Sequence, residues 1–333
     1  MTVRLGINGF GRIGRTLLRN LINGPLSDLQ VVAINDPAPS ETLAHLLEFD
    51  SLHGRLSQPV SMQGGVMQIG PHQIRMTAQS TPDDLPWSDV DIAVDCSGYF
   101  TAPTQALRHL KNGARRVLLS APAQGDAKTI VYGVNQSDIT ADDRLISNAS
   151  CTTNCLVPVA KLLHDHFGIA RGMMTTVHSY TSTQVTHDAP HADLYRARAA
   201  GLSMIPTTTG AAETLGLVVP ELAGRITGDA IRVPTPNVSC IDLVVDIDRP
   251  ASAQEINATF RAAAQGPYAG IIDTTDRKLV SMDFRQDPHS AIVACDQTCV
   301  QGQMVRVLAW YDNEWGFVHR LIDTTRTFAA KTL

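Results

Sequence analysis

"TVRLGINGFGRIGRTLLRNLI", residues 2–22, decides the fold. Residues 2–9 form a short aliphatic and β-branched run that reads as a strand. Gly9, Gly11 and Gly14 then fit G-x-G-x-x-G, and residues 11–22 continue as an amphipathic helix. A second strand, "LQVVAIND" (29–36), closes on Asp36. Strand, glycine turn, helix, strand and acidic residue is the pattern that seats a dinucleotide. Gly9 permits the tight turn, Gly11 lets the backbone approach a pyrophosphate, and Gly14 lets helix and strand pack closely. The phosphates then rest on the N–H groups at the helix N-terminus, with the backbones of Arg12 and Ile13 as candidate donors. A carboxylate at Asp36 accepts from ribose hydroxyls and repels a 2′-phosphate. Pro37 follows, where an arginine would have welcomed that phosphate, so NAD is expected over NADP.

Further strands are expected at 89–98, 114–122, 129–135 and 144–150, with a helical stretch at 104–113. The alternation predicts an α/β protein with a doubly wound, mostly parallel, Rossmann-type sheet. Ligands of such sheets lie beyond the carboxyl ends of the strands, which makes Ser97, Gly98 and Ser120 cofactor neighbours. At 333 residues the chain exceeds what one core usually fills, so a second domain is expected. A formal charge of −5 gives no general attraction for nucleic acid or anionic membrane, so an anionic ligand needs a local cluster. No stretch reads as a membrane span, and Arg4 and the glycines interrupt any apolar signal core. A cytoplasmic location is therefore expected, where the six cysteines stay reduced.

"SNASCTTNC" (147–155) ends a strand near Ser150 and runs into the helix-like "CLVPVAKLLHDHF". Cys151 thus stands near a helix N-terminus, whose partial positive charge favours thiolate. "GMMTTVHSYT" (172–181) reads as a strand ending at His178, so a Cys/His pair can form. Cys155 shares a helical face with Cys151, but no second Cys or His pair completes four ligands, so no metal is expected. Cys155 reads as a packed thiol, with a reversible Cys151–Cys155 disulfide under oxidation as the other reading.

"INGFGRIGR", "SNASCTTNC", "HSYT", "PTTTGAA", "RVPTPNVS" and "WYDNEWG", in order from residue 6 to 320, resemble phosphorylating glyceraldehyde-3-phosphate dehydrogenase. The resemblance implies an NAD-binding domain of residues 1–150 plus 313–333. A second α+β domain of residues 151–312 would serve catalysis, substrate binding and oligomerisation. It implies that Cys151 attacks glyceraldehyde 3-phosphate, that His178 accepts the proton, and that a thioester is cleaved by inorganic phosphate. Ser150, Thr152, Thr209 and Gly210, completed by Thr181, Arg196 and Arg232, would hold the two phosphates; arginine forks match phosphate oxygens. Asn313 would hold the nicotinamide carboxamide, and the assembly would be a homotetramer.

The chain also departs from that family. Ser182 and Thr183 replace the usual Asn-Asp after "HSYT", removing a carboxylate near the substrate. Ala189, Ala192 and Tyr195 stand where leucine, lysine and arginine are usual, and Phe317 where tyrosine is commoner. "HLLEFDSLHGR", "VYGVNQ", "AAQGPYAGIID" and "DFRQDPHSAIV" resemble erythrose-4-phosphate dehydrogenase at least as much, whereas "HSYT" and "PTTTGAA" favour the glyceraldehyde enzyme. A catalytically silent NAD-binding or moonlighting protein is the alternative of another class, because fold does not fix function. An intact Cys151 and His178 argue against it.

Overall fold

The computed structural model describes residues 2–24 and 28–332, which fall into two compact units. The first comprises the chain up to Ile130, Asn135–Ala149, and the C-terminal stretch from Val318; the second comprises Val131–Val134 and Ser150–Phe317.

The first unit is built on β1 (Val3–Asn8), α1 (Arg12–Asn23) and β2 (Leu29–Asn35). These three elements follow the apolar periodicities of residues 2–36. β1 pairs in parallel with β2 on one side and with Ile92–Asp95 on the other. The nine-stranded sheet continues outward to His72–Thr77 beyond β2, and to Arg116–Leu119, Leu145–Ser147 and Lys128–Thr129 beyond Ile92–Asp95. Among the described residues, antiparallel pairing in this sheet is confined to the hairpin Val60–Gln63 and Val66–Ile69 at the far edge and its junction with His72–Thr77. Strand order reverses between β1 and Ile92–Asp95, which opens a crevice at the Asn8 and Asp95 ends. Leu5, Ile7, Leu17, Leu18 and Ile34 form the core, joined by Val318, Leu321 and Phe328 from the C-terminal helix Trp315–Thr332.

Two expected elements differ. The strand expected at 129–135 shrinks to Lys128–Thr129, because Val134 N–H turns back to Val131 O and Gly133 takes a positive φ of 92°. The helix expected at 104–113 is one α turn, Pro103–Ala106, followed by a 3₁₀ stretch, Leu107–Asn112. It stops at Gly113, whose φ of 110° carries the chain against the Ser88 backbone with no room for a side chain.

The second unit carries an eight-stranded mixed sheet. Its spine is Ile169–Ser179, parallel to Ile226–Val233 and antiparallel to Ser239–Ile247, which in turn pairs with Met304–Tyr311. Ile241, Leu243 and Val245 face the same side as Val305, Val307 and Ala309, all nearly inaccessible. The Cys151–Phe167 helix packs on this sheet, burying Cys155, Leu156, Val159 and Leu163. Among the described residues, no helix is long and apolar enough to cross a membrane.

Candidate functional site

In the first unit the glycine turn has the shape a pyrophosphate needs. Gly9 has a φ of 89°, where a side chain would strike the backbone at Cys96 and Ser97. A Cβ on Gly14 would collide with the Gly9 carbonyl, so close helix–strand packing excludes one. A Cβ on Gly11 would meet nothing within 4 Å. Gly11 is also the N-cap of α1 and contributes no side-chain cap, so the helix start turns backbone N–H groups towards the place an anion would take. Asp36 is fixed by two backbone donors, Phe10 N–H to Oδ2 (2.7 Å) and Ala38 N–H to Oδ1 (2.9 Å). Each carboxylate oxygen keeps a lone pair for a ribose hydroxyl. These residues fit NAD.

Beneath the strand ends lies a polar ladder that the sequence reading missed. Thr77 Oγ1 donates to Asn35 Oδ1 (2.8 Å), Asn35 Nδ2 to Asn8 Oδ1 (2.8 Å), and Asn8 Nδ2 to Asp95 Oδ2 (2.9 Å). His109, fully buried and stacked on Trp87, reaches the same Asp95 oxygen through Nε2 at 2.9 Å. Asp95 Oδ1 accepts from the hydroxyl and the N–H of Ser97 (2.6 and 3.0 Å), while Ser120 N–H donates to the Asp95 carbonyl (2.9 Å). Ser97 and Ser120 are thereby held at one strand end, with Gly98 beside them at a φ of 73° and open space around its Cβ position. Parallel in-register strands bring their last residues level, and this alignment assembles the ladder.

In the second unit Cys151 is the first residue of the Cys151–Phe167 helix, with Ser150 as N-cap accepting from Thr153 N–H at 3.1 Å. Cys151 Sγ lies 3.4 Å from His178 Nε2, at the end of the Ile169–Ser179 strand. His178 Nδ1–H donates to Ser179 O (2.7 Å), which leaves Nε2 to accept the thiol proton. Arg232 Nη1 donates to the same carbonyl (2.9 Å) and comes within 2.9 Å of Nδ1. Parallel register sets this up, because Arg232 is the Cα partner of His178.

Opposing influences act on the thiol and on the imidazole. Burial pushes the Cys151 thiol up, opposed by the Arg232 charge and by the Thr152 N–H. The helix N-terminus therefore acts in the expected direction, but burial outweighs it. Burial, then the Arg232 charge, pull His178 down from its usual range to about 3, against the hydrogen bond to Ser179 O. Arg232 is itself lowered by burial, with Cys151 and Tyr311 opposing that and Arg196 adding to it.

The remaining anion-site residues make local contacts. Arg196 donates through Nε and Nη2 to Thr207 Oγ1 (3.0 and 2.7 Å) and lies 3.5 Å from Asp193. Thr181 Oγ1 bonds Thr183 Oγ1 at 2.9 Å, which uses one of the two departures noted in the sequence. Thr209 Oγ1 accepts from Ala211 N–H (3.3 Å), and Gly210 is the N-cap of the Ala211–Val218 helix. Thr152 is buried, and its hydroxyl faces Tyr311 OH at 2.9 Å rather than the surface. Its N–H and its hydroxyl also reach the Cys151 sulfur. Asn313 Oδ1 accepts from Ser179 Oγ (2.9 Å) and Ser239 Oγ (3.1 Å), leaving its amide N–H groups for a carbonyl. Those two serines tie residue 313 into the second unit, and the chain returns to the first at Val318.

Two family models match the chain. The family model described as glyceraldehyde 3-phosphate dehydrogenase, NAD binding domain, matches residues 3–103, and the corresponding C-terminal domain matches 150–313. The chain is 56% identical over 325 residues to glyceraldehyde-3-phosphate dehydrogenase of Cereibacter sphaeroides, covering 97% of this chain and 98% of that one. It is 54% identical to the Xanthobacter flavus enzyme of that name, covering 97% and 98%. It is 49% identical to the Geobacillus stearothermophilus enzyme, with both chains covered completely.

Proposed function

The chain belongs to the glyceraldehyde-3-phosphate dehydrogenase family, and from that premise we propose that it oxidises glyceraldehyde 3-phosphate to 1,3-bisphosphoglycerate with NAD and inorganic phosphate. The observation that carries this reading is the 3.4 Å approach of Cys151 Sγ to His178 Nε2 at a helix N-terminus, with Arg232 donating to the carbonyl beside the base. His178 Nε2 takes the thiol proton as sulfur attacks the aldehyde carbon, giving a thiohemiacetal. The developing oxyanion rests on the Cys151 N–H and the imidazolium. Bound NAD supplies the hydride acceptor that makes oxidation to the thioester possible. Phosphate oxygen then attacks the thioester carbonyl, the C–S bond breaks, and Cys151 leaves as thiolate.

Arg232 and Arg196 are the guanidinium forks of this scheme, with Ser150, Thr181, Thr209, Gly210 and the Thr152 N–H completing the two anion shells. Gly9, Gly11, Arg12, Ile13, Gly14, Asp36, Ser97, Gly98 and Ser120 hold the dinucleotide, and Asn313 its carboxamide. A homotetramer belongs to the same proposal. It is supported by apolar side chains left outside the core of the second unit: Leu202, Leu194, Met204 and Met173 are 85, 83, 75 and 66% exposed. A cytoplasmic location goes with it, since a thiol catalyst works where thiols stay reduced.

The test is NADH formation from glyceraldehyde 3-phosphate and from erythrose 4-phosphate, each with and without phosphate. Phosphate-dependent turnover with the larger kcat/KM on glyceraldehyde 3-phosphate is expected. A larger value on erythrose 4-phosphate would move the substrate assignment. Cys151→Ala should abolish turnover, and His178→Asn should lower kcat by roughly a hundredfold or more while NAD still binds.

A further inference from the structure

Tyr311 ends the Met304–Tyr311 strand with its side chain buried, and no step above uses it. Its hydroxyl lies 2.9 Å from Thr152 Oγ1 and 2.8 Å from Thr176 Oγ1. Thr152 follows Cys151 on the helix; Thr176 precedes His178 by two residues on the strand, and so points to the same side of the sheet. Each hydroxyl owns one hydrogen, and Thr176 Oγ1 donates its own to Cys240 O at 3.1 Å. Thr176 must therefore accept from Tyr311, and Tyr311 must accept from Thr152. The chain runs in one direction, Thr152 to Tyr311 to Thr176 to Cys240 O. The Tyr311 ring also meets His178 edge-on, with centroids 6.0 Å apart and planes at 73°. A single side chain thus braces the helical turn that carries the thiol and the strand that carries the base.

We propose that Tyr311 is a positioning residue, whose directed hydroxyl chain sets the separation of Cys151 Sγ from His178 Nε2. The proposal rests on the reading of these two as nucleophile and base. Removing the phenolic oxygen takes away the partner that the Thr152 and Thr176 hydroxyls share, inside a buried site. The helix start and the strand end can then drift apart, and a proton transfer across 3.4 Å tolerates little drift.

The test follows alkylation of Cys151 by iodoacetamide against pH, read as modification of the Cys151 peptide by mass spectrometry so that the exposed Cys299 does not interfere. It compares the wild type, Tyr311→Phe, Thr176→Val, the double variant and His178→Asn, with kcat and KM measured alongside. Tyr311→Phe should slow alkylation about tenfold at neutral pH and move its pH profile towards that of His178→Asn. Turnover should fall by about the same factor, with KM for aldehyde and for NAD within about twofold. Thr176→Val breaks the chain from its other end and should match Tyr311→Phe, and the double variant should be no worse than either single one. Should Tyr311→Phe fold poorly, Thr176→Val carries the same expectations. A wild-type rate and pH profile in either single variant, or losses that multiply in the double variant, would overturn the proposal. Alkylation needs neither substrate nor NAD, so a failure here is distinct from a failure of the dehydrogenase reading, which would appear as absent NADH formation by the wild type.

Discussion

Arg232 works at two distances on the same pair of atoms. Its hydrogen bond to Ser179 O steadies the carbonyl that orients His178, and its charge lowers both the thiol and the imidazole. Replacing it by glutamine, which is shorter, removes the charge and withdraws the donor from Ser179 O as well. The thiol, already pushed up by burial, should rise further, and His178 should rise from about 3 towards its ordinary range. Less thiolate is then present at neutral pH, so alkylation of Cys151 in Arg232→Gln should be slower there than in the wild type. Its rate should also continue climbing with pH beyond the point where the wild type levels off. An unchanged rate would show that the charge is screened from sulfur. The sequence carried Cys151 and His178 plainly, because a reactive thiol at a helix start and an imidazole at a strand end have recognisable surroundings. Tyr311 gave no such signal. It is one apolar-looking residue in "VRVLAWY" (305–311), and only antiparallel pairing turns it towards Thr152 and Thr176.

At the level of elements, β1, α1 and β2 could be read directly because periodicity, glycine spacing and the acidic terminus all agree. The ladder Thr77–Asn35–Asn8–Asp95–His109 could not, since each member sits on a different strand or turn and only register makes them neighbours. The same holds for the anchoring of α1. Arg12 Nη1 bonds Asp50 Oδ2 at 2.5 Å, and Asp50 Oδ1 accepts from the N–H groups of Leu52 and His53. Burial pushes the Asp50 carboxyl up, yet the His53 N–H and the Arg12 side chain together pull it from 3.8 to about 2. A carboxylate depressed on folding stabilises the fold above its unfolded value, and that contribution fades as pH falls from 3.8 through about 2. The shift corresponds to about 2 kcal/mol. Urea unfolding across that interval should therefore show the wild type losing more stability than Asp50→Asn, with the two curves converging at the acid end. Parallel curves would mean that Asp50 keeps its ordinary value in the folded chain.

At the scale of the whole molecule, the second unit's sheet treats its two faces unequally. Val305, Val307 and Ala309 are inaccessible, while Met304 at the start of the same strand is 42% exposed and Met173 on the spine strand 66%. Arg306 and Asp242 form an ion pair on that same outer face (2.8 and 2.9 Å), so it combines charge with bare thioether and aliphatic surface. Leu202 and Met204, just ahead of the Ile205–Thr208 strand, add two more exposed apolar side chains. With a formal charge of only −5 on 333 residues, such surface is where the proposed tetramer would associate. Met173→Glu combined with Leu202→Glu separates the two cases. On an isolated chain both sites face water, and the pair should alter stability by no more than about 0.5 kcal/mol per site. In the proposed tetramer the carboxylates would be buried without partners, so sedimentation velocity should show a smaller species at concentrations where the wild type is tetrameric. The melting temperature of the wild type should also rise with protein concentration, and that dependence should weaken in the variant. An unchanged sedimentation coefficient in the double variant would remove this face from the assembly and leave its exposed methionines to another explanation.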